Sequence, residues 1–375
     1  MTGLGPRRAP HAGLAVLLLA GAALVVAACG RLPGHLERSA GSAFEVLVAS
    51  APDPEGNTTT ARFDSTTGRT KTMPAPGNAT APRLTGSGRI SYLVTDSIRS
   101  QDLRGGGERT EAAGRSLPIA GYAWSSRGDL AYVANPPYAG STGGAELVIE
   151  RQDGPTVAIA LGPAAGWGGE PPRLQFSPDG TLLLLVDAAL GGSPAAALQV
   201  RRLDGRLVFG PMSAAPSEAG LPSDAAWAGS RKLYFRDARG VNVADLATGT
   251  TRTILPGVRW YRPDTAPDGR TIVFELRDGQ GVPRLELLDT TTDTLVAGYE
   301  RDRATLARFV SPSEIWFHEV GACAGCEEAP PRAEIVSLDT VRLTERPTGL
   351  TGFVTDVRWR ARAGAGAPAS SAPGS

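Results

Sequence analysis

Apolar and polar residues alternate along most of this chain with the two-residue period of half-buried strands. The runs 89–94, 181–187, 232–235, 271–274 and 314–317 carry the pattern, and short polar turns bound them. A larger unit repeats around these runs. An apolar or aromatic anchor leads into a Ser-Pro-Asp-Gly-like turn, and the turn leads into an alternating strand. The clearest copies are Phe176-Ser177-Pro178-Asp179-Gly180 and Thr265-Ala266-Pro267-Asp268-Gly269, with a degenerate one at Trp124-Ser125-Ser126-Arg127-Gly128. The anchors are Leu84, Trp124, Phe176, Trp227, Thr265, Phe309 and Trp359. Their spacing of roughly 38 to 52 residues is that of stacked units, none of which can bury its apolar face alone.

Third strands follow at 147–150, 198–200, 241–243 and 285–288, each ahead of a polar turn and a short outer strand. The turns 64–68, 245–249 and 289–293 use Asp, Thr and Gly, which make Asx-type hydrogen bonds and tolerate positive φ. The two ends complement each other. Segments 44–50 and 58–73 supply second, third and fourth strands with no first strand before them. Segment 355–359 is a first strand with nothing after it. Joining the two closes the ring and leaves no free sheet edge. The expected fold is all-β: a single β-propeller of seven four-stranded blades, closed by pairing of the C-terminal strand with the N-terminal blade. Six or eight blades also fit, because the loops vary and the anchor at Thr265 is weak. Trp260 competes with Thr265 as the packing residue of that blade. The tryptophans at anchor positions, Trp124, Trp227 and Trp359, are expected in the core between blades.

These repeats resemble the WD40-like, or TolB-like, β-propeller repeat of exported bacterial proteins, over about residues 44–360. The chain departs from TolB itself in two ways. It has no room for an α/β domain ahead of the propeller, and it carries a lipobox-like segment that TolB lacks. The part TolB plays in the Tol–Pal system therefore does not carry over.

The N-terminus reads as a targeting segment. Arg7 and Arg8 precede an apolar run, 14–26, too short for a comfortable membrane span. The run ends in Val26-Ala27-Ala28-Cys29-Gly30, which resembles the bacterial lipoprotein lipobox. The resemblance implies cleavage before Cys29 and lipidation of its thiol. An ordinary secretory signal with an incidental cysteine is the other reading. Arg7-Arg8 lacks the residues that usually follow a twin-arginine export pair. The expected organisation is a signal peptide at 1–28, a flexible tether at 29–42, the propeller at 43–360 and a disordered tail at 361–375. Acylation would anchor the protein outside the cytoplasm without a spanning helix.

Charge and chemistry narrow the function classes. The formal net charge is zero, and Lys71 and Lys232 are the only lysines. Neither a nucleic-acid partner nor a polybasic membrane surface is implied, and the chain is expected to be a monomer. Past the signal only His35 and His318 remain. A Ser-His-Asp triad needs a base beside a nucleophile, and no Gly-x-Ser-x-Gly elbow is present. His318, at a strand end, is read as a capping or solvent-facing residue.

Cys323-Ala324-Gly325-Cys326 suits a structural disulfide in an exported protein. Glu327 and Glu328 raise thiol pKa rather than lowering it, which argues against a redox pair. A zinc site from His318, Cys323, Cys326 and Glu327 needs contrived geometry. The acidic turns at Asp179 and Asp268 fall in different blades, whereas calcium needs converging oxygens. The glycine-rich stretches 105–107 and 162–169 do not open a helix as phosphate loops do. Trp167 and Tyr138, in long connections, are candidate partner contacts, and packing over the blade below is the equal alternative for Trp167.

The reading is thus a non-enzymatic binding or scaffold module for a protein, peptide or glycan at the cell envelope. No catalytic residue, metal or cofactor is expected. The alternative is a propeller enzyme of hydrolase, lyase or quinone-dependent dehydrogenase type with its site in the central channel.

Overall fold

The computed structural model describes residues 43–50, 59–73, 79–85, 87–94, 96–103, 106–113, 119–134, 145–162, 172–187, 197–213, 225–319 and 334–360. They form seven four-stranded antiparallel sheets and no helix. The protein is a seven-bladed β-propeller. The closing blade takes three strands from the N-terminus, β1 (Ala43–Ala49), β2 (Thr60–Asp64) and β3 (Arg69–Met73). Blade 1 is β4 (Thr80–Leu84), β5 (Ile90–Val94), β6 (Ser97–Gln101) and β7 (Arg109–Ala113). Blade 2 is β8 (Ile119–Trp124), β9 (Leu130–Ala134), β10 (Ala145–Glu150) and β11 (Val157–Gly162). Blade 3 is β12 (Arg173–Phe176), β13 (Leu182–Asp187), β14 (Ala197–Arg202) and β15 (Leu207–Ser213). Blade 4 is β16 (Ala225–Ala228), β17 (Lys232–Asp237), β18 (Gly240–Asp245) and β19 (Thr250–Pro256). Blade 5 is β20 (Tyr261–Thr265), β21 (Thr271–Arg277), β22 (Pro283–Asp289) and β23 (Thr294–Asp302). Blade 6 is β24 (Ala304–Ser311), β25 (Glu314–Glu319), β26 (Glu334–Asp339) and β27 (Thr344–Thr351).

The last strand, β28 (Phe353–Arg360), pairs with β1 and completes the closing blade in the order β28-β1-β2-β3. This is the closure the two incomplete ends of the sequence predicted, and seven is the blade number. The first strands of neighbouring blades meet around the ring: β4 lies beside β8 and β28, β24 beside β20 and β28, β16 beside β20, and β8 beside β12. They are therefore the innermost strands.

The repeat has one register. All seven anchors lie on innermost strands, and each pairs with the first core residue of its blade's second strand. The pairs are Leu84 with Ile90, Trp124 with Leu130, Phe176 with Leu183, Trp227 with Leu233, Thr265 with Ile272, Phe309 with Ile315, and Trp359 with Phe44. The Pro-Asp-Gly turns close these hairpins. Gly180 N donates to Ser177 O (2.8 Å) and Gly269 N to Ala266 O (2.8 Å). Gly269 has φ +72, and a Cβ there would stand 2.8 Å from Gly229 N, so only glycine fits.

Alternate second-strand residues face opposite neighbours, which is how one blade serves two cores. Phe235 packs toward blade 3 with Leu184 and Val186. Tyr234 packs toward blade 5 with Ile272 and Phe274. Trp227 is buried, and Trp124 is half-buried while its Nε1 donates to Ser91 Oγ (2.9 Å). In blade 5 the weak anchor is replaced: Trp260, just ahead of β20, is fully buried and packs 5.4 Å from the Phe274 ring.

Candidate functional site

A polar belt crosses three blades at one end of the ring. Three positions after the residue that pairs with each anchor, the second strands carry Leu93, Val133, Val186, Arg236, Glu275, His318 and Leu47, for blades 1 to 6 and the closing blade. Four are aliphatic. Arg236, Glu275 and His318 are 4%, 0% and 1% exposed, so three consecutive blades bury an ionisable group where the others carry hydrocarbon, half-buried at Leu93 and buried at the rest. Burying such groups is costly unless they are bonded.

Their contacts link blade to blade. The Arg236 guanidinium lies over the Tyr261 ring, 4.7 Å from its centroid, and Tyr261 is opposite Glu275 in register. Glu275 Oε1 accepts from Thr305 Oγ1 (2.8 Å) and from Leu306 N (2.7 Å) on blade 6. Arg262 Nη1 stands 3.6 Å from the same oxygen and donates to Thr305 Oγ1 (3.1 Å). The other oxygen, Glu275 Oε2, is buried without a hydrogen bond. Thr305 is opposite His318 in register. His318 packs against Phe353 of the closing blade, 5.6 Å between ring centroids, and neither ring nitrogen has a partner.

Burial pushes the His318 imidazole down from its ordinary 6.5 to about 4, so it is neutral at physiological pH. The sequence reading of His318 as a capping or solvent-facing residue is corrected. It sits inside the ring because its strand register aims it between blades.

Backbone irregularities sit beside the belt. β20 and β24 shift register ahead of their anchors, and Arg262 and Leu306 adopt φ +49 and +55. Bulges of this kind re-aim side chains and are common beside functional sites.

A second charged set lies on the innermost strands. Asp264 Oδ2 accepts from Phe309 N (2.7 Å) and Asp264 Oδ1 from Arg308 Nη1 (3.1 Å). Asp356 Oδ2 repeats the first contact with Leu84 N (2.6 Å), and Arg83 Nη1 lies 4.0 Å from Asp356 Oδ1. Burial pushes the Asp356 carboxyl above the usual carboxylate range, and Arg83 offsets part of that. Asp264, Arg308 and Arg83 lie one residue ahead of the anchors of blades 5, 6 and 1, where blades 2, 3 and 4 carry Ala123, Gln175 and Ala226. Asp356 lies two residues further ahead of its anchor, opposite Leu47.

The two ends of the ring differ in their connections. First-to-second and third-to-fourth strand turns are short, as at 177–181, 266–270, 246–249 and 340–343. The opposite end receives the long connections 135–144, 163–171, 188–196, 214–224 and 320–333. The belt lies toward that end. Tyr138, Trp167 and the Cys323–Cys326 pair fall in those connections, outside the described residues, as do Cys29, the tether 29–42 and the tail 361–375. Sequence reasoning missed Arg236, Tyr261, Arg262, Glu275 and Thr305. The available signal was a charged residue closing a run of three apolar ones in Leu233-Tyr234-Phe235-Arg236 and Ile272-Val273-Phe274-Glu275.

No family model matches the chain, and no curated protein matches it by sequence. Solved structures do resemble it. A candidate 6-phosphogluconolactonase from Bacteroides fragilis is 15% identical over 86% of this chain and 99% of that one, with a TM-score of 0.55. A puromycin hydrolase is 20% identical over 84% of this chain and 54% of that one, with a TM-score of 0.53. TolB from Acinetobacter baumannii is 17% identical over 76% of this chain and 70% of that one, but its TM-score of 0.42 is too low to argue from. At these identities the likeness shows the β-propeller fold alone.

It does correct one expectation. The sequence reading took the chain as a non-enzymatic module, with a propeller enzyme as the alternative, yet the same fold is shared with proteins named for a lactonase and a hydrolase activity. Scarce histidines argue against one kind of chemistry only. The buried carboxylate and arginines of the belt are groups that catalysis also uses, so a non-enzymatic status does not stand.

Proposed function

We propose that this chain is an exported lipoprotein, anchored at the cell membrane through a lipid on Cys29, whose propeller binds a protein, peptide or glycan of the cell envelope. The observation that supports the reading most is the asymmetry of the ring. One end has tight turns; the long connections join strand ends at the other, toward which the polar belt of Arg236, Glu275 and His318 lies. Loops on a rigid scaffold are where binding residues concentrate. Trp167 and Tyr138 are the proposed aromatic contacts in those connections. A Cys323–Cys326 disulfide would fix the connection that leaves blade 6 next to His318. The protein acts as a monomer, with its partner outside the cytoplasm.

The test is affinity purification of the membrane-anchored protein after mild crosslinking, with Cys29→Ala as control. One envelope partner that is lost with the control, and weakened by Trp167→Ala, supports the reading. A folded, lipidated protein that captures no protein or glycan overturns it.

A further inference from the structure

We propose that the blade 6 turn Val341-Arg342-Leu343 inserts into the surface of the phospholipid bilayer and holds the propeller with its tight-turn end toward the membrane. The inference rests on the lipid-anchor reading above and adds a second, oriented contact to it.

The turn breaks the rule its counterparts keep. The third-to-fourth strand turns of the closing blade, blade 4 and blade 5 start with an Asx hydrogen bond and end in the left-handed region. Asp64 Oδ1 accepts from Thr66 N, Asp245 Oδ1 from Ala247 N, and Asp289 Oδ1 from Thr291 N. The left-handed residue is Gly68, Gly249 or Asp293. In blade 6, Asp339 Oδ1 accepts from Val341 N and Arg342 N (both 2.9 Å). There the left-handed residue is Leu343, at φ 52. Leucine is strained in that conformation. Nor does it gain burial in return, since Leu343 is 53% and Val341 79% exposed. Of the large exposed apolar side chains among the described residues, Leu295 and Val296 also follow a turn at this end, on neighbouring blade 5. Arg342 projects between the two apolar residues, with Asp339 Oδ2 4.0 Å away as its ion partner.

The occupant follows from where the chain enters the ring. Residues 29–42 join β1 at Ala43, which pairs with Arg360 at the tight-turn end of the closing blade. Phe44 N donates to Ser65 Oγ (2.8 Å), and Ser65 N to Phe44 O (3.0 Å), so the entry point is tied to a third-to-fourth strand turn. Phe44 also packs edge-on to Trp316 of blade 6, 6.0 Å between centroids. The tether root and the Val341–Leu343 turn therefore share one end of neighbouring blades. Fully extended, residues 29–42 reach at most about 50 Å, which keeps this end within contact of the membrane that holds Cys29. Two apolar side chains flanking an arginine match a bilayer surface: hydrocarbon below the headgroups, phosphate at their level. Asx bonds and the bond from Thr340 N to Ser313 O (2.8 Å) preform the turn, so little is ordered on insertion.

The experiment uses the full chain, reconstituted into vesicles of phosphatidylethanolamine and phosphatidylglycerol. An environment-sensitive fluorescent amino acid is placed at position 341, or at 247 in the equivalent blade 4 turn. Lipids with a nitroxide on the acyl chain act as quenchers, and mass spectrometry reads the lipid on Cys29. The expected result is a blue shift and quenching at 341, neither at 247, and loss of the 341 quenching in Leu343→Asn. If Cys29 is lipidated and 341 behaves as 247 does, the insertion is overturned while the anchor reading stands. Shielding of 341 that depends on protein concentration, without quenching by lipid, also overturns it, in favour of a protein contact. An unmodified Cys29 removes the anchor reading and this inference with it.

Discussion

Blades 2 and 3 bury Val133 and Val186 near the end of their second strands; at the same register blades 4, 5 and 6 bury Arg236, Glu275 and His318. The backbone register is the same, and so is the burial. Hydrocarbon at this position is the arrangement stability favours, because it needs no partner. The polar version needs the Tyr261 ring for Arg236 and, for Glu275, the Thr305 hydroxyl and the Leu306 amide, all from neighbouring blades, with Arg262 from the blade of Glu275 itself. A fold departs from local consistency mainly where function asks for it. The contrast therefore separates four blades with hydrocarbon at this register from three that hold an ionisable group there.

The largest effect is expected at Glu275. Glu275→Ala removes the acceptor of the Thr305 hydroxyl and the Leu306 amide and takes away the buried carboxylate beside Arg262. The loss in unfolding free energy is about 3–5 kcal/mol, that of breaking a buried charged pair. Val186→Ala, at the same register in blade 3, loses about 2 kcal/mol of burial and cavity energy. Denaturant unfolding of both variants makes the comparison. Equal losses would mean that the belt is no more than an alternative way of filling the core.

Next in size is the acid limb set by His318. Its folded pKa of about 4 lies below the ordinary 6.5. Between these values the unfolded chain binds a proton that the folded chain refuses. Stability is therefore fully present above pH 6.5 and falls as pH drops toward 4, by about 3 kcal/mol in all. His318→Leu copies the Leu47 of the closing blade. It is expected to hold stability at pH 7 and to flatten this limb, read by unfolding at pH 7 and pH 4.5. An unchanged limb would place the imidazole in contact with water and dissolve the contrast at blade 6.

Smaller still is the effect of the inner-wall aspartates. Asp264→Ala strands the Phe309 amide and Asp356→Ala the Leu84 amide. Each is expected to cost about 1–3 kcal/mol in unfolding free energy. Asp356 lies on the strand that closes the ring and Asp264 does not. A much larger loss at Asp356 would show that the seam, rather than the individual bond, is the weak point.

These contrasts show why the sequence was only partly readable. The anchors were legible because a repeated register needs the same kind of residue at the same place: Phe176, Trp227 and Phe309 each announce an innermost strand. Closure was legible because unpaired strands at both ends have one economical solution. Blade 5 was harder, since Trp260 packs from outside the strand and Thr265 holds the register without the bulk. The belt was not legible. Glu275 is followed by Leu276, Arg277 and Asp278, and His318 by Glu319, so in one dimension each looks like the start of an exposed turn. Only the pairing of Tyr261 with Glu275 and of Thr305 with His318 places them between blades.

The smallest expected effect has the opposite sign. Leu343 holds φ 52 with its side chain half exposed, while blade 4 places Gly249 at the equivalent turn position with φ 72. Leu343→Gly relieves a left-handed strain of about 1 kcal/mol and sacrifices little packing. The isolated propeller is expected to unfold at slightly higher denaturant concentration. Gly249→Leu introduces the same strain in blade 4 and should lower stability by a similar amount. A loss on Leu343→Gly would mean that this leucine packs on the blade after all, and the difference between the two turns would then be structural. A gain, together with weaker insertion at position 341, would mean that blade 6 keeps a strained apolar tip at a cost to the fold, which is the signature of a residue held for a contact outside the molecule.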